Sequence, residues 1–198
     1  PGAEFSLRRD LKPQEKLVIT DPPAPLKAWP QVVQLPSGWQ AQWIWAAGDS
    51  ERVTRVFLRR SFDLAQVPPA AKDRAEVAPV AVTVDNAFRL YVNGVLALNG
   101  EGWEQPQRVD LQPFLRKGRN VLAVEGINAG GPAGVLLQAK IPQAGKAMSI
   151  VSDAAWKVSD SEVAGWQGTD FDDSAWQAAV SLGAPPSGPW GDVAGPGF

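Results

Sequence analysis

The segment VDNAFRLYVNG, residues 84–94, alternates apolar and polar side chains and stops at Asn93-Gly94. Phe88, Leu90 and Val92 interleave with Arg89, Tyr91 and Asn93, the period of two that marks a strand with one buried face. A two-residue type I′ hairpin needs positive φ at both central positions, and Asn-Gly is the preferred pair there. Residues 95–98 then read as the return strand. Upstream, Val80, Val82 and Val84 alternate with Ala81, Thr83 and Asp85, a second half-buried strand. Asp85-Asn86 between the two is turn chemistry, since both side chains bond readily to nearby backbone. Strands this short and this tightly joined confine the chain to antiparallel β structure.

The same punctuation recurs along the sequence. VTRVFLRRSFDL, 53–64, reads as an edge-type strand with Val56, Leu58 and Phe62 among its apolar positions. A charged, Pro-bracketed stretch follows and breaks the pattern. GEGWEQPQRVDL, 100–111, reads as a loop carrying Trp103. PFLRKGRN turns into the strand VLAVEGIN, and AGGPAG turns into VLLQAKI. Asp173-Ser174 before AWQAA would cap a single helical turn. No helical period of useful length appears. Many short strands separated by turn signals specify an all-β chain, an antiparallel β-sandwich or jelly roll. Residues 1–40 read as a Pro-rich tail or linker, with one strand at 16–20. Residues 41–190 form the sandwich, and 191–198 a C-terminal tail.

Composition removes whole classes of function. The 198 residues contain neither Cys nor His, which excludes disulfides, thiolate nucleophiles, imidazole triads and zinc sites of the usual kind. A net charge of −2 offers no concentrated basic face for nucleic acid or an anionic membrane. No apolar run reaches the length of a membrane span. The start lacks both an initiator Met and the apolar segment of a signal peptide, as expected of an excised piece of a larger protein. Nine Trp stand against a single Tyr, and each Trp is core, interface or ligand platform.

AQWIWA, TRVFLRRSFDL, DNAFRLYVNG, VDLQPFLRKGRNVLAVEGIN, WKVS and TDFDDSAWQAA occur in that order between about residues 41 and 190. This series resembles the galactose-binding-domain-like jelly rolls attached to bacterial glycoside hydrolases, above all the accessory domains of α-L-rhamnosidases and the sugar-binding domains of β-galactosidase-type enzymes. The resemblance implies a sandwich of about eight strands, other domains of a parent protein as partners, carbohydrate as ligand, and an extracellular or periplasmic location. The fold alone does not imply sugar binding, since many such domains brace a catalytic neighbour. In that alternative, Trp29, Trp39 or Trp190 in the Pro-rich ends would be exposed contact residues.

Sugar recognition needs an apolar ring face with planar polar groups around it. Trp103 supplies the ring, with Asn99, Glu104 and Arg108 beside it in sequence and Asn128 on the 127–134 turn at the same end of the sandwich. The competing reading folds Trp103 back as a lid and spends Asn128 on capping its turn. The Gly-rich 127–134 segment precedes a strand, whereas a phosphate cradle precedes a helix. A structural calcium, which the resemblance allows, would draw on Asp170 and Asp172 or on Asp49 and Glu51, although neither cluster has the spacing of a known calcium loop. Trp43, Trp45, Trp156, Trp166 and Trp176 are expected in the core, and Arg59-Arg60 on a solvated strand face. No facing carboxylate pair for glycoside hydrolysis is legible, and the expected role is non-catalytic.

Overall fold

A computed structural model describes residues 38–48, 52–70, 77–144 and 146–198. These residues hold twelve strands: β1 (Trp43–Trp45), β2 (Arg55–Leu64), β3 (Pro79–Asp85), β4 (Ala87–Val92), β5 (Val95–Glu101), β6 (Gln107–Asp110), β7 (Gly118–Ile127), β8 (Gly134–Ile141), β9 (Met148–Val151), β10 (Lys157–Ser159), β11 (Gln177–Ala178) and β12 (Val180–Gly183). They form two antiparallel six-stranded sheets. The first runs β12-β1-β8-β3-β6, with β9 also paired to β8. The second runs β11-β10-β2-β7-β4-β5. The β-sandwich is as the sequence indicates, but it has twelve strands rather than about eight. The additional ones are two to four residues long, too short to display a period.

The Asn-Gly hairpin forms as read: Asn93 has φ 53° and Gly94 φ 87°. The Asp85-Asn86 junction is more than a turn. β3 lies in the first sheet and β4 in the second, so these two residues carry the chain from one layer of the sandwich to the other. A strand that changes sheet cannot pair with the strand before it, and β4 pairs with β5 and β7 instead.

Four readings need correction. β2 is no edge strand: it pairs with β7 along its whole length and with β10 on its other side. β3 is not half-buried, because Ala81, Thr83 and Asp85 are buried along with Val80, Val82 and Val84. The AWQAA segment makes no helical turn; Trp176 N–H donates to Asp173 O at 3.0 Å, closing a β-turn that leads into β11. Arg59 is fully buried, not solvated; its Nε donates to Asp173 Oδ2 at 2.8 Å and its Nη1 to the carbonyls of Trp166 and Gly168.

Apolar side chains occupy three layers. Between the sheets lie Ile44, Val80, Val82, Val84, Val135 and Leu137 from one side and Val56, Leu58, Phe88, Leu90, Leu122 and Val124 from the other. On the outside of the first sheet, Trp43, Ala81 and Leu136 are covered by Trp39, Trp190 and Val193. On the outside of the second, Phe57 and Ala123 are covered by Trp166, with Phe171 and Trp176 packed alongside. This is why β3, β7 and β8 are buried on both faces. Trp43, Trp45, Trp156 and Trp166 are core as expected, and Trp176 is half-buried. Trp39 and Trp190, which the bracing alternative would place at the surface, are buried. Trp29, the 16–20 strand and residues 49–51 lie outside the described residues.

Candidate functional site

The layer crossing gathers loops at one end of the sandwich. Asn86 N–H donates to Ile127 O at 2.8 Å, and Asn86 O accepts from Gly102 N–H at 2.7 Å. Its side-chain Oδ1 accepts from Ala129 N–H at 2.6 Å. One residue thus ties the loop after β5 and the turn after β7 to the β3–β4 crossing. Thr83, buried on β3, donates its hydroxyl to Trp103 O at 2.8 Å and to Gly102 O at 3.2 Å, fixing the Trp103 backbone from below.

Asp85 sits beside this hub, 7% exposed. Its Oδ2 accepts from Trp190 Nε1 at 3.0 Å, and the Trp190 ring stacks on Trp43 at 4.3 Å between centroids. Burial raises the Asp85 pKa from its ordinary value; the Trp190 bond opposes the rise and the Glu104 charge adds to it. The end of the sandwich therefore offers a desolvated carboxylate, an exposed one at Glu104, and the half-buried ring of Trp103.

Of the residues nominated from sequence, Trp103, Glu104 and Asn128 come together around Asp85-Asn86. Trp103 packs its inner side on the Trp39, Trp43 and Trp190 cluster and remains half-exposed. Asn128 is buried and caps its own turn, donating to Gly131 O at 3.1 Å and accepting from Gly130 N–H at 2.9 Å. Arg108 belongs to β6; its Nη1 donates to Gly197 O at 3.3 Å and its guanidinium lies over the Phe198 ring. Asn99 is on β5, in the other sheet, opposite Arg89 of β4. Asp170 and Asp172 do not form a ligand set: Asp170 accepts from Thr169 Oγ1, and Asp172 accepts from Ser174 N–H, which lowers its pKa. Asp49 and Glu51 lie outside the described residues, among which no group of three or more Asp, Glu, His or Cys stands together.

Sequence reasoning missed the polar platform on the outer face of the second sheet. Glu125 of β7 is nearly buried, accepting at Oε1 from Arg55 Nε (2.6 Å) and Nη2 and at Oε2 from Arg89 Nη1 (2.9 Å). The signal was present as a carboxylate inside the apolar run VLAVEGIN and a cation inside FRLYV, but pairing them requires the β2–β7–β4 register.

No protein-family model matches this chain. It is 37% identical over 185 residues to an α-L-rhamnosidase of Streptomyces avermitilis, a match covering 87% of this chain and 17% of that relative's length. In solved structures, it superposes on Streptomyces avermitilis α-L-rhamnosidase complexed with L-rhamnose with a TM-score of 0.70 and 31% identity, over 81% of this chain and 16% of that one. It also superposes on a Pleurotus ostreatus lectin in complex with GalNAc, with a TM-score of 0.65 and 25% identity, over 81% of this chain and 47% of the lectin. The chain resembles an accessory domain of the α-L-rhamnosidases and corresponds to a small part of the enzyme it matches.

Proposed function

We propose that this chain, similar to one accessory domain within a much longer glycoside hydrolase, is a non-catalytic carbohydrate-binding module of an exported protein. The observation that carries the reading is the half-buried Trp103 ring next to the exposed Glu104, on a loop that Asn86 and Thr83 hold at one end of the sandwich. A pyranose presents an apolar face of C–H groups and a rim of hydroxyls; an indole face and the exposed Glu104 carboxylate meet both. A lectin and a rhamnose-complexed enzyme among the similar structures favour a saccharide over other small ligands. The site is shallow, orders few contacts and so binds weakly. Asn99 belongs to β5 of the other sheet, and Arg108 to β6, where it bonds the C-terminal segment.

The test is titration of the domain with L-rhamnose, N-acetylgalactosamine and a panel of plant and algal polysaccharides, followed by Trp fluorescence. Binding that saturates in the wild type and disappears in Trp103→Ala supports the reading. No response to any saccharide refutes it, as would turnover of a rhamnoside substrate by the isolated chain.

The bracing role has one observation in its favour. Val180 and Leu182, about two-fifths exposed on edge strand β12, adjoin a recess of about 290 Å³ lined by Leu182, Pro132 and Pro189. These residues would meet a neighbouring domain, with the buried Trp190 in the wall of the recess.

A further inference from the structure

The outer face of the first sheet holds a recess toward the end of β8 remote from the Trp103 loop. On β8, Leu136 pairs with Thr83 and Gln138 with Ala81 of β3, while Gln138 and Lys140 pair with Val151 and Ser149 of β9. Side chains alternate along a strand. Leu136 belongs to the outer apolar cluster, so Gln138 and Lys140 face outward with it. Together with Gln40, Lys146, Ser149 and Phe198 they line a recess of about 300 Å³, at the lower end of the roughly 300–1,000 Å³ of small-ligand sites.

Donors dominate this lining. Gln138 is only 6% exposed, and its Oε1 accepts from Gln40 N–H at 2.7 Å. A backbone N–H can only donate, so this bond fixes which end of the Gln138 amide is oxygen. Its Nε2 group is left to the recess, with no partner among the described residues. The Gln40 Oε1 accepts from the Ser149 hydroxyl at 3.4 Å. Lys140 and Lys146 add two exposed ammonium groups, and among the described residues no Asp or Glu stands in the lining. Acceptors here are engaged, and the donors left over include two cations. A carboxylate or sulfate, which only accepts, matches all of them; a neutral hydroxyl does not.

The loop end has the opposite character. Glu104 is exposed next to Trp103, so an acidic sugar is repelled there and a neutral one is preferred. Yet both places share one face, since Trp103 and Phe198 pack against the same outer cluster. Lys140 lies four residues along β8 from Leu136, the partner of the Thr83 that holds Trp103, about 13 Å at the rise of a strand. Resting on the saccharide reading above, we infer that this recess takes an acidic sugar unit, bearing carboxylate or sulfate, of a polysaccharide whose neutral units meet Trp103. The module then prefers an acidic polysaccharide to a neutral one of the same backbone.

Calorimetric titration with a tetrasaccharide of alternating L-rhamnose and galacturonic acid, and with its carboxyl-reduced form, tests this. The wild type binds the acidic form about tenfold more tightly at low salt, the scale of one charge-assisted hydrogen bond, and added salt erodes the difference. Lys140→Gln combined with Lys146→Gln removes that advantage, leaves affinity for the reduced form within twofold, and does not alter thermal unfolding. Gln138→Glu keeps an acceptor for Gln40 N–H but sets a negative charge in the recess, and must also abolish the advantage. Equal wild-type affinities for the two forms, or an advantage that survives either set of substitutions, overturn the acidic recess and leave the loop-end site in place. Acidic binding that is unchanged by Trp103→Ala, with no binding of the reduced form, overturns the loop-end site and the shared chain. Hexaglutamate binding more tightly than the acidic tetrasaccharide, with the same lysine dependence, overturns a saccharide as the occupant. Absence of binding to any saccharide overturns both readings.

Discussion

Trp190→Phe isolates the interaction that locks the C-terminal segment onto the layer crossing. Phe keeps a ring against Trp43 but has no N–H for Asp85 Oδ2, which Trp190 reaches at 3.0 Å. A hydrogen bond to a charged acceptor contributes about 1.5–3 kcal/mol, and a stacked aromatic pair about 0.5–1.5 kcal/mol beyond its area, part of which the smaller ring retains. Both residues are nearly buried, so water cannot replace the lost donor. The expected cost at neutral pH is about 2–4 kcal/mol. It should depend on pH. Burial holds the folded Asp85 pKa above its unfolded value, and the Trp190 bond is what restrains the rise. Stability contributed by a proton held more tightly in the folded state is fully present below the ordinary carboxylate range and is lost as pH rises through the raised value. Without Trp190 N–H the folded pKa climbs further, so the variant goes on losing stability at pH values where the wild type has levelled off. Urea unfolding followed by fluorescence at pH values near 4 and near 7 reads this directly: the gap between the proteins widens toward neutral pH and collapses in an Asp85→Asn background. An equal cost at both pH values, or an unchanged cost beside Asp85→Asn, refutes an ionised Asp85 as the partner that matters.

Two further substitutions test the packing that supports the site. A β-carbon at Gly134 would stand 2.8 Å from the Trp190 ring and 2.9 Å from that of Trp43, so Gly134→Ala is expected to destabilise by about 1–3 kcal/mol through overpacking; an unchanged melting temperature would mean the stack can yield. Ser152 is fully buried, donates to Gln42 O at 2.6 Å and accepts from Leu137 N–H at 3.0 Å. Ser152→Ala leaves both backbone groups short of a partner and should cost about 1–3 kcal/mol in chemical denaturation, with a loss under 0.5 kcal/mol counting against the bond network.

The sequence by itself determined the strand content, the Asn93-Gly94 hairpin and the class of fold, because alternation and turn residues act over a few neighbours and need no partner to be read. It also placed Trp103, Glu104 and Asn128 on loops at one end, since the strands before and after them were legible. Tertiary structure decided the rest. Period-2 analysis gives β3 one buried face, yet the other is buried too, under Trp39 and Trp190 drawn from distant positions in the chain. Those two Trp sit in Pro-rich stretches that look solvent-facing until the first sheet offers them an apolar surface. Arg59 reads as a surface cation and becomes a buried brace only once the segment after β10 folds across the second sheet and supplies Asp173 and carbonyl oxygens as partners. Asp85-Asn86 reads as a turn because local propensity is blind to which sheet the next strand joins. Asn99 and Arg108 are close in sequence to Trp103 but belong to different sheets, so the crossing of layers separates them. Glu125 meets Arg55 and Arg89 only through inter-strand register, a long-range property that no single stretch of sequence encodes.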